Sequence, residues 1–132
     1  MGGPITRQEL NRLKIRFQEH EEALKLGGEV DLTIASGNVY ATKGYHSLVV
    51  EGGTGSGVDD LDTADGGTAG MILVLKAKTS GGSDTVTVKN GTGVGAFILA
   101  GGLDFDMDHV DDTLVVIHNG TEWVELTRSD NS

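Results

Sequence analysis

The spacing of apolar residues along the chain changes character once, near residue 28. Before that point Leu10, Leu13, Phe17, His20 and Leu24 recur at alternating steps of three and four, the narrow stripe of a and d positions in a coiled coil. Thr6 with Glu9 makes a capping box, Ile5 stands where a hydrophobic staple to Leu10 would start, and Gly27-Gly28 supplies a stop. The pattern predicts one amphipathic helix over 6–26. A helix of that length is marginal alone in water, so its stripe must be covered by the chain's own body or by copies of itself. Polar residues flank the stripe on both sides, which favours a self-associating seam over a broad face lying on a core. In a trimer, three His20 side chains would meet near the axis, where they could hold an anion, a metal or only water, although most buried seam histidines are simply hydrogen-bonded.

After Gly28 the period drops to two. Val30, Leu32 and Ile34 alternate with polar residues, a turn follows at Ser36-Gly37-Asn38, and 39–43 and 46–51 read as two further strands. Residues 52–70, GGTGSGVDDLDTADGGTAG, have almost no apolar content and read as one long loop. Met71 to Leu75 is a continuous apolar run, expected to be buried on both faces. Strands are expected again over 85–89, 96–100 and 103–107, and the chain closes with a hairpin, 113–118 and 121–127, whose Asn119-Gly120 suits a type I′ turn. About eight short strands joined by glycine turns predict a mainly β fold, a compact antiparallel β-sandwich or barrel-like domain over 29–132, preceded by the helical segment 1–28.

Composition sharpens this. Of 132 residues, 37% are hydrophobic and 5% aromatic, a thin supply for a core, and no cysteine is present to staple it. The net charge of −10 sits wholly in the β region: residues 1–29 hold five basic and five acidic groups, leaving five basic against fifteen acidic beyond them. An acidic body argues against nucleic acid and anionic membrane as partners. No apolar run is long enough to span a bilayer, and MGGPITRQEL lacks the apolar stretch of a secretory signal.

Candidate chemistry is sparse. Gly91-Thr-Gly93-Val-Gly95-Ala96 matches a dinucleotide fingerprint, but FILAGG after it cannot form the helix whose N-terminus would face a pyrophosphate, so it reads as a turn. Asp59, Asp60, Asp62 and Asp65 form one acidic cluster and Asp104, Asp106 and Asp108 another. Both are weak cation candidates, and the second lacks the glycine and glutamate of a calcium loop. His46, His109 and His118 are scattered, and no nucleophile-base arrangement can be assembled from the chain. The two Asn-Gly-Thr sequons, at Asn90 and Asn119, read as turns. Trp123, Tyr40 and Tyr45 have the rings that stack on sugars, although Trp123 suits a core anchor better. The expectation is a protein without catalytic residues or cofactor.

The succession Asp59-Asp-Leu-Asp-Thr63 with Gly66-Gly67, Thr85-Val-Thr-Val-Lys89, Gly101-Gly102-Leu-Asp-Phe105, Asp112-Thr-Leu-Val115 and Gly120-Thr-Glu-Trp-Val-Glu125 resembles the small β-domains of tailed-bacteriophage virion proteins. Such domains occur in capsid decoration proteins, head fibres and tail-fibre tips, and the resemblance spans about residues 30–128. It implies a homotrimeric, non-enzymatic structural domain on the virion surface, partnered by the major capsid protein or another virion protein. The alternative it leaves open is a tail-fibre or adhesin-like module that binds host surface glycans. The helix lies outside the common pattern and is expected to trimerise the protein or to anchor it to the capsid.

Overall fold

The computed structural model describes residues 4, 6–11, 25–78 and 83–131. Within them the protein is mainly β, with one short helix near the N-terminus at 7–11. That helix begins as its sequence dictates: the Glu9 amide donates to Thr6 Oγ1 at 3.2 Å and the Leu10 amide to the Thr6 carbonyl at 3.0 Å, the Thr6 half of the capping box.

Eleven strands follow among the described residues: β1 (Val30–Thr33), β2 (Asn38–Tyr40), β3 (Tyr45–Val49), β4 (Val58–Leu61), β5 (Thr63–Asp65), β6 (Ile72–Ala77), β7 (Thr85–Val88), β8 (Phe97–Ile98), β9 (Phe105–Met107), β10 (Thr113–His118) and β11 (Trp123–Ser129). They make a six-stranded sheet in the order β1-β3-β6-β10-β11-β8, a three-stranded sheet β4-β7-β9, and a two-stranded sheet β2-β5.

The pairing differs from the antiparallel sandwich or barrel read from the sequence. Five of the eight described strand pairings are parallel: β1 with β3, β3 with β6, β2 with β5, β4 with β7, and β8 with β11. The chain leaves one sheet, crosses the others and returns beside its previous pass, a solenoid-like winding. The three antiparallel pairings come later in the chain, where β9 reverses beside β7 and β10 runs antiparallel to both β6 and β11. Parallel neighbours need a long crossover, and here strands of the other two sheets serve as that crossover. This is why 52–70 is not one long loop. Leu61 and Ala64 point inward and are buried, and they turn its second half into β4 and β5.

The core is one cluster, with Ile34, Leu48, Leu61, Leu75, Phe97 and Trp123 among its fully enclosed members. Strand β6 was expected to be buried on both faces. It alternates instead: Leu73 and Leu75 are inside, whereas Ile72 is 42% exposed and Val74 only partly covered. The closing hairpin has a four-residue loop, 119–122, rather than a two-residue type I′ turn. Gly120 has φ +106, but Asn119 stays out of the left-handed region. Its side-chain oxygen accepts the Thr121 and Glu122 amides at 2.9 and 2.8 Å, so the side chain does the work that a second positive φ would have done.

Candidate functional site: the acidic surface and its anchors

Of the sequence-predicted aspartates, Asp60 and Asp106 lie on the outer side of the β4-β7-β9 sheet, Asp59 stands on β4, Asp62, Asp104 and Asp108 flank the strands, and Asp65 belongs to β5 of the two-stranded sheet. Register places Asp60 and Asp106 on either side of Thr87, whose hydroxyl donates to Asp106 Oδ1 at 2.6 Å. Asp104, Asp106 and Asp108 are all exposed, while Phe105 and Met107 between them are buried. The alternation is therefore real, and its polar half faces water. Asp59 is a turn builder: its two oxygens accept the amides of Glu51 (2.7 Å) and Asp60 (2.9 Å). Asp62 lies against Gly37, where a Cβ would collide with its carboxylate, and Asp65 accepts from the Asn38 amide group at 3.2 Å.

Lys89 joins the two acidic clusters. Its ammonium meets Asp104 at 2.6 Å, and Asp104 also accepts the Asn90 amide at 2.7 Å. The bond to Asp104 raises the lysine pKa above its ordinary value, with Asp60 and Asp62 adding smaller contributions of the same sign. Asp104 is held correspondingly below the usual carboxylate range, first by Lys89 and then by the Asn90 amide. This is an exposed network whose charges water screens.

The carboxylates that the structure brings closest together are not those the sequence singled out. Asp108, Asp112 and Asp130 each offer an oxygen within 4.8 Å of the others, and among the described residues they form the one such group able to share a cation. Only Asp108 was a sequence candidate. Asp112 is fully buried, and its oxygens already accept the amides of Asp108 (3.0 Å), His109 (3.1 Å) and Asn131 (2.6 Å). Three backbone donors on one carboxylate make a structural clasp that ties the start of β10 to the end of β11. Its position in the His109-Val-Asp-Asp112 turn just before a strand was the readable signal. Asp84, also buried, does the same for the 52–57 turn, accepting the Gly55 and Gly57 amides at 2.8 and 3.0 Å.

A second anchor missed by sequence reasoning closes the far edge of the large sheet. Arg128 stacks over the Phe105 ring at 4.8 Å, donates to the Leu103 and Asp104 carbonyls, and grips Glu125 through Nε and Nη2, the shortest contact being 2.6 Å. Glu125 is almost covered, at 6% side-chain exposure, and the Arg128 guanidinium pulls its carboxyl below the ordinary value.

His46, His118 and the tryptophan serve the fold, whereas His109 sits in a surface turn, where Nδ1 accepts the Asp111 amide at 3.2 Å. His46 is buried, with Nε2 accepting the Thr42 and Lys43 amides at 3.1 and 3.2 Å and Nδ1 2.9 Å from the Val30 carbonyl. Two donors on Nε2 place the ring proton on Nδ1. Trp123 is fully enclosed, donates from Nε1 to the Ala64 carbonyl at 2.9 Å, and meets His118 edge-on at 4.7 Å, so its ring is closed to a sugar. Tyr40 is the contrary case at 63% exposure. The 91–96 run is a turn, with Gly95 donating to Thr121 and Ala96 to Gly93 before β8 begins, as its context predicts. Of the seam residues, Leu10 is described and is 41% exposed; Leu13, Phe17, His20 and Leu24, like Ile5, lie outside the described residues. No described helix is long and apolar enough to cross a membrane.

What this surface can do is bounded by its parts. It offers exposed carboxylates, two buried aspartates consumed by backbone amides, and two buried histidines consumed by the fold. Comparison of the chain with protein-family models, with curated proteins and with solved structures gives no match in any of the three.

Proposed function

We propose that this chain is a structural protein of a tailed-bacteriophage virion: a homotrimer that decorates the capsid or forms a short head fibre, seated on the major capsid protein and projecting its β-body from the head. The observation that carries the reading is the use to which the reactive side chains are put. His46, His118, Asp84 and Asp112, the buried polar groups that an enzyme would keep for chemistry, are spent on backbone amides or ring contacts. What is left outside is an acidic surface suited to solubility and to repelling neighbours. The amphipathic seam at Leu10, Leu13, Phe17, His20 and Leu24 joins the three chains or docks them. Gold-labelled antibody against the protein, viewed on intact particles, tests the reading: label on heads is expected, and unlabelled virions would overturn it.

One observation favours the tail-fibre or adhesin reading as the second choice. On the outer side of the β2-β5 sheet, exposed Tyr40 stands beside Asp65, with Asn38 and Thr63 in the adjoining pair. An aromatic ring next to a carboxylate, an amide and a hydroxyl is the kind of surface on which a sugar can stack and hydrogen-bond. Binding on a glycan array that disappears in Tyr40→Ala would support it, and a blank array would remove it.

A further inference from the structure

The six-stranded sheet is apolar on both sides, and among the described residues only one side is fully enclosed. Register sets Ile98, Val124, Ile117 and Ile72 in a single row across β8, β11, β10 and β6, and Val115, Val74 and Tyr45 in the next row across β10, β6 and β3. Their chain neighbours Phe97, Trp123, Leu73, Leu75, Leu114, Val116 and His46 are all buried in the core. These seven side chains therefore point outward, and each keeps some exposure. Leu126, the extra residue where the β10-β11 register shifts, adds to the same edge at 55% exposure. A sheet with one wet face carries polar residues at such positions. Here neither row contains a charged side chain, in a protein of net charge −10. Charge returns only in the row of Lys76 and Asp31.

We infer that this face packs against second copies of the chain, forming a β-interface that continues the seam of Leu10 to Leu24. The inference rests on the homotrimer reading above and names the surface through which the bodies touch. Two observations select this occupant. The first is charge. Acidic bodies repel wherever Asp60, Asp104 or Asp106 would meet, and these rows are the uncharged surface on which they can approach. The second is where the amphipathic segment ends. Lys25 to Gly28 and Tyr45 line an open hollow at the border of the face, and Leu26 reaches Gly44 beside it. The leading segment therefore joins the body at the edge of this face, beside Tyr45 and the row that continues to Val74 and Val115.

Size explains why seam and face would be used together. With strands about 4.8 Å apart and alternate residues about 7 Å apart, the two rows cover on the order of 250 Å². That is well under the roughly 800 Å² per partner of a stable interface, and a seam of fewer than three heptads is also short. In a ring of three, each body meets two neighbours, and the seam holds the faces at high local concentration.

The test is Val115→Glu in the full chain, read by sedimentation and native mass spectrometry over a concentration series. Val115 points away from the core, so the fold should survive, as far-UV circular dichroism will show. The expected result is at least a tenfold shift from trimer to monomer, with Asp106→Lys on the opposite, acidic surface leaving the mass unchanged. Val115→Thr, nearly isosteric, should move the equilibrium in the same direction by less, and it decides the matter if the glutamate variant fails to fold. A wild-type trimer that neither variant weakens would overturn the β-interface and leave the homotrimer reading standing. A wild-type chain that is monomeric throughout would overturn both. A monomer whose helical signal falls in Val115→Glu would show that the chain's own leading segment covers the face instead.

Discussion

Gly67 is the position where the packing can be tested most sharply. Its φ lies outside the left-handed region, so nothing in its backbone requires glycine, and an alanine there should stabilise by about 0.4–1 kcal/mol through the unfolded chain. The surroundings reverse the sign. A Cβ would sit 2.5 Å from Trp123 Cζ2 and 2.9 Å from His118 Nε2, against two rings fixed by their own contacts. Trp123 cannot retreat without stretching its bond to the Ala64 carbonyl, and His118 accepts the Gly120 amide at 3.0 Å. Overpacking of this kind costs about 1–3 kcal/mol, so Gly67→Ala should lose about 2 kcal/mol net. With an unfolding entropy near 0.25 kcal/mol per kelvin for a domain of this size, the melting midpoint should fall by about 8 °C. Trp123 is the only tryptophan, which makes its fluorescence a local reporter: the emission should shift to the red as the indole is pushed from its enclosure. Gly53→Ala is the control. It has φ +93 with no atom near the added methyl, so it should cost about 1–2 kcal/mol of backbone strain and leave the emission alone. A Gly67→Ala protein with the wild-type midpoint and spectrum would refute the placement of the hairpin against 66–67.

Three further outcomes follow from contacts described above. Removing the clasp with Asp112→Ala strands three amides and should lower stability in urea by about 2–4 kcal/mol, with Asp112→Asn losing about half of that, because one oxygen still faces donors; a silent alanine variant would mean that water replaces the carboxylate without cost. The Glu125 carboxyl, held below its ordinary value by Arg128, contributes stability that is present above the unfolded glutamate pKa and is lost as pH falls through the lowered folded value. The stability gap between wild type and Arg128→Met should therefore be widest near pH 7 and narrow toward pH 3 without closing, since Arg128 also holds two carbonyls and the Phe105 ring; a gap independent of pH would contradict the pairing. In the leading segment, Leu13→Asp or Phe17→Asp should shift the assembly toward monomer, and light scattering that still gives the wild-type mass would refute the seam.

How much of this was legible in the residues depended on whether the signal was local. The alternation at Phe105 and Met107 and at Thr85 to Val88 gave strands where strands stand, because period two is a property of a single segment, whereas Leu103, read as the start of the same strand, lies outside it and is 67% exposed. Parallel pairing was not legible, since β1, β3 and β6 lie side by side across crossovers of more than ten residues and no local pattern records which pass neighbours which. The polar look of 52–70 concealed β4 and β5 because each places only one fully buried side chain in the core, Leu61 and Ala64. Among the acidic residues, the exposed runs were easy to see and are the least constrained. Asp84 and Asp112, which hold turns together, look in sequence like any other turn aspartate.

The apolar run at Met71 to Leu75 is where pattern and structure part most usefully. A continuous hydrophobic segment says that both faces avoid water; it does not say that one chain supplies both covers. The body encloses Leu73 and Leu75, and Ile72 and Val74 still stand in rows with Ile117 and Val115 on the outer side. If the run was selected for burial on both faces, as its composition implies, the β-interface proposed above supplies the second cover, and the thin supply of hydrophobic residues stops being a deficit. Under that proposal a chain that shares its outer rows with two sisters needs less core of its own, and the acidic charge of the rest of the body directs contact toward these two uncharged rows.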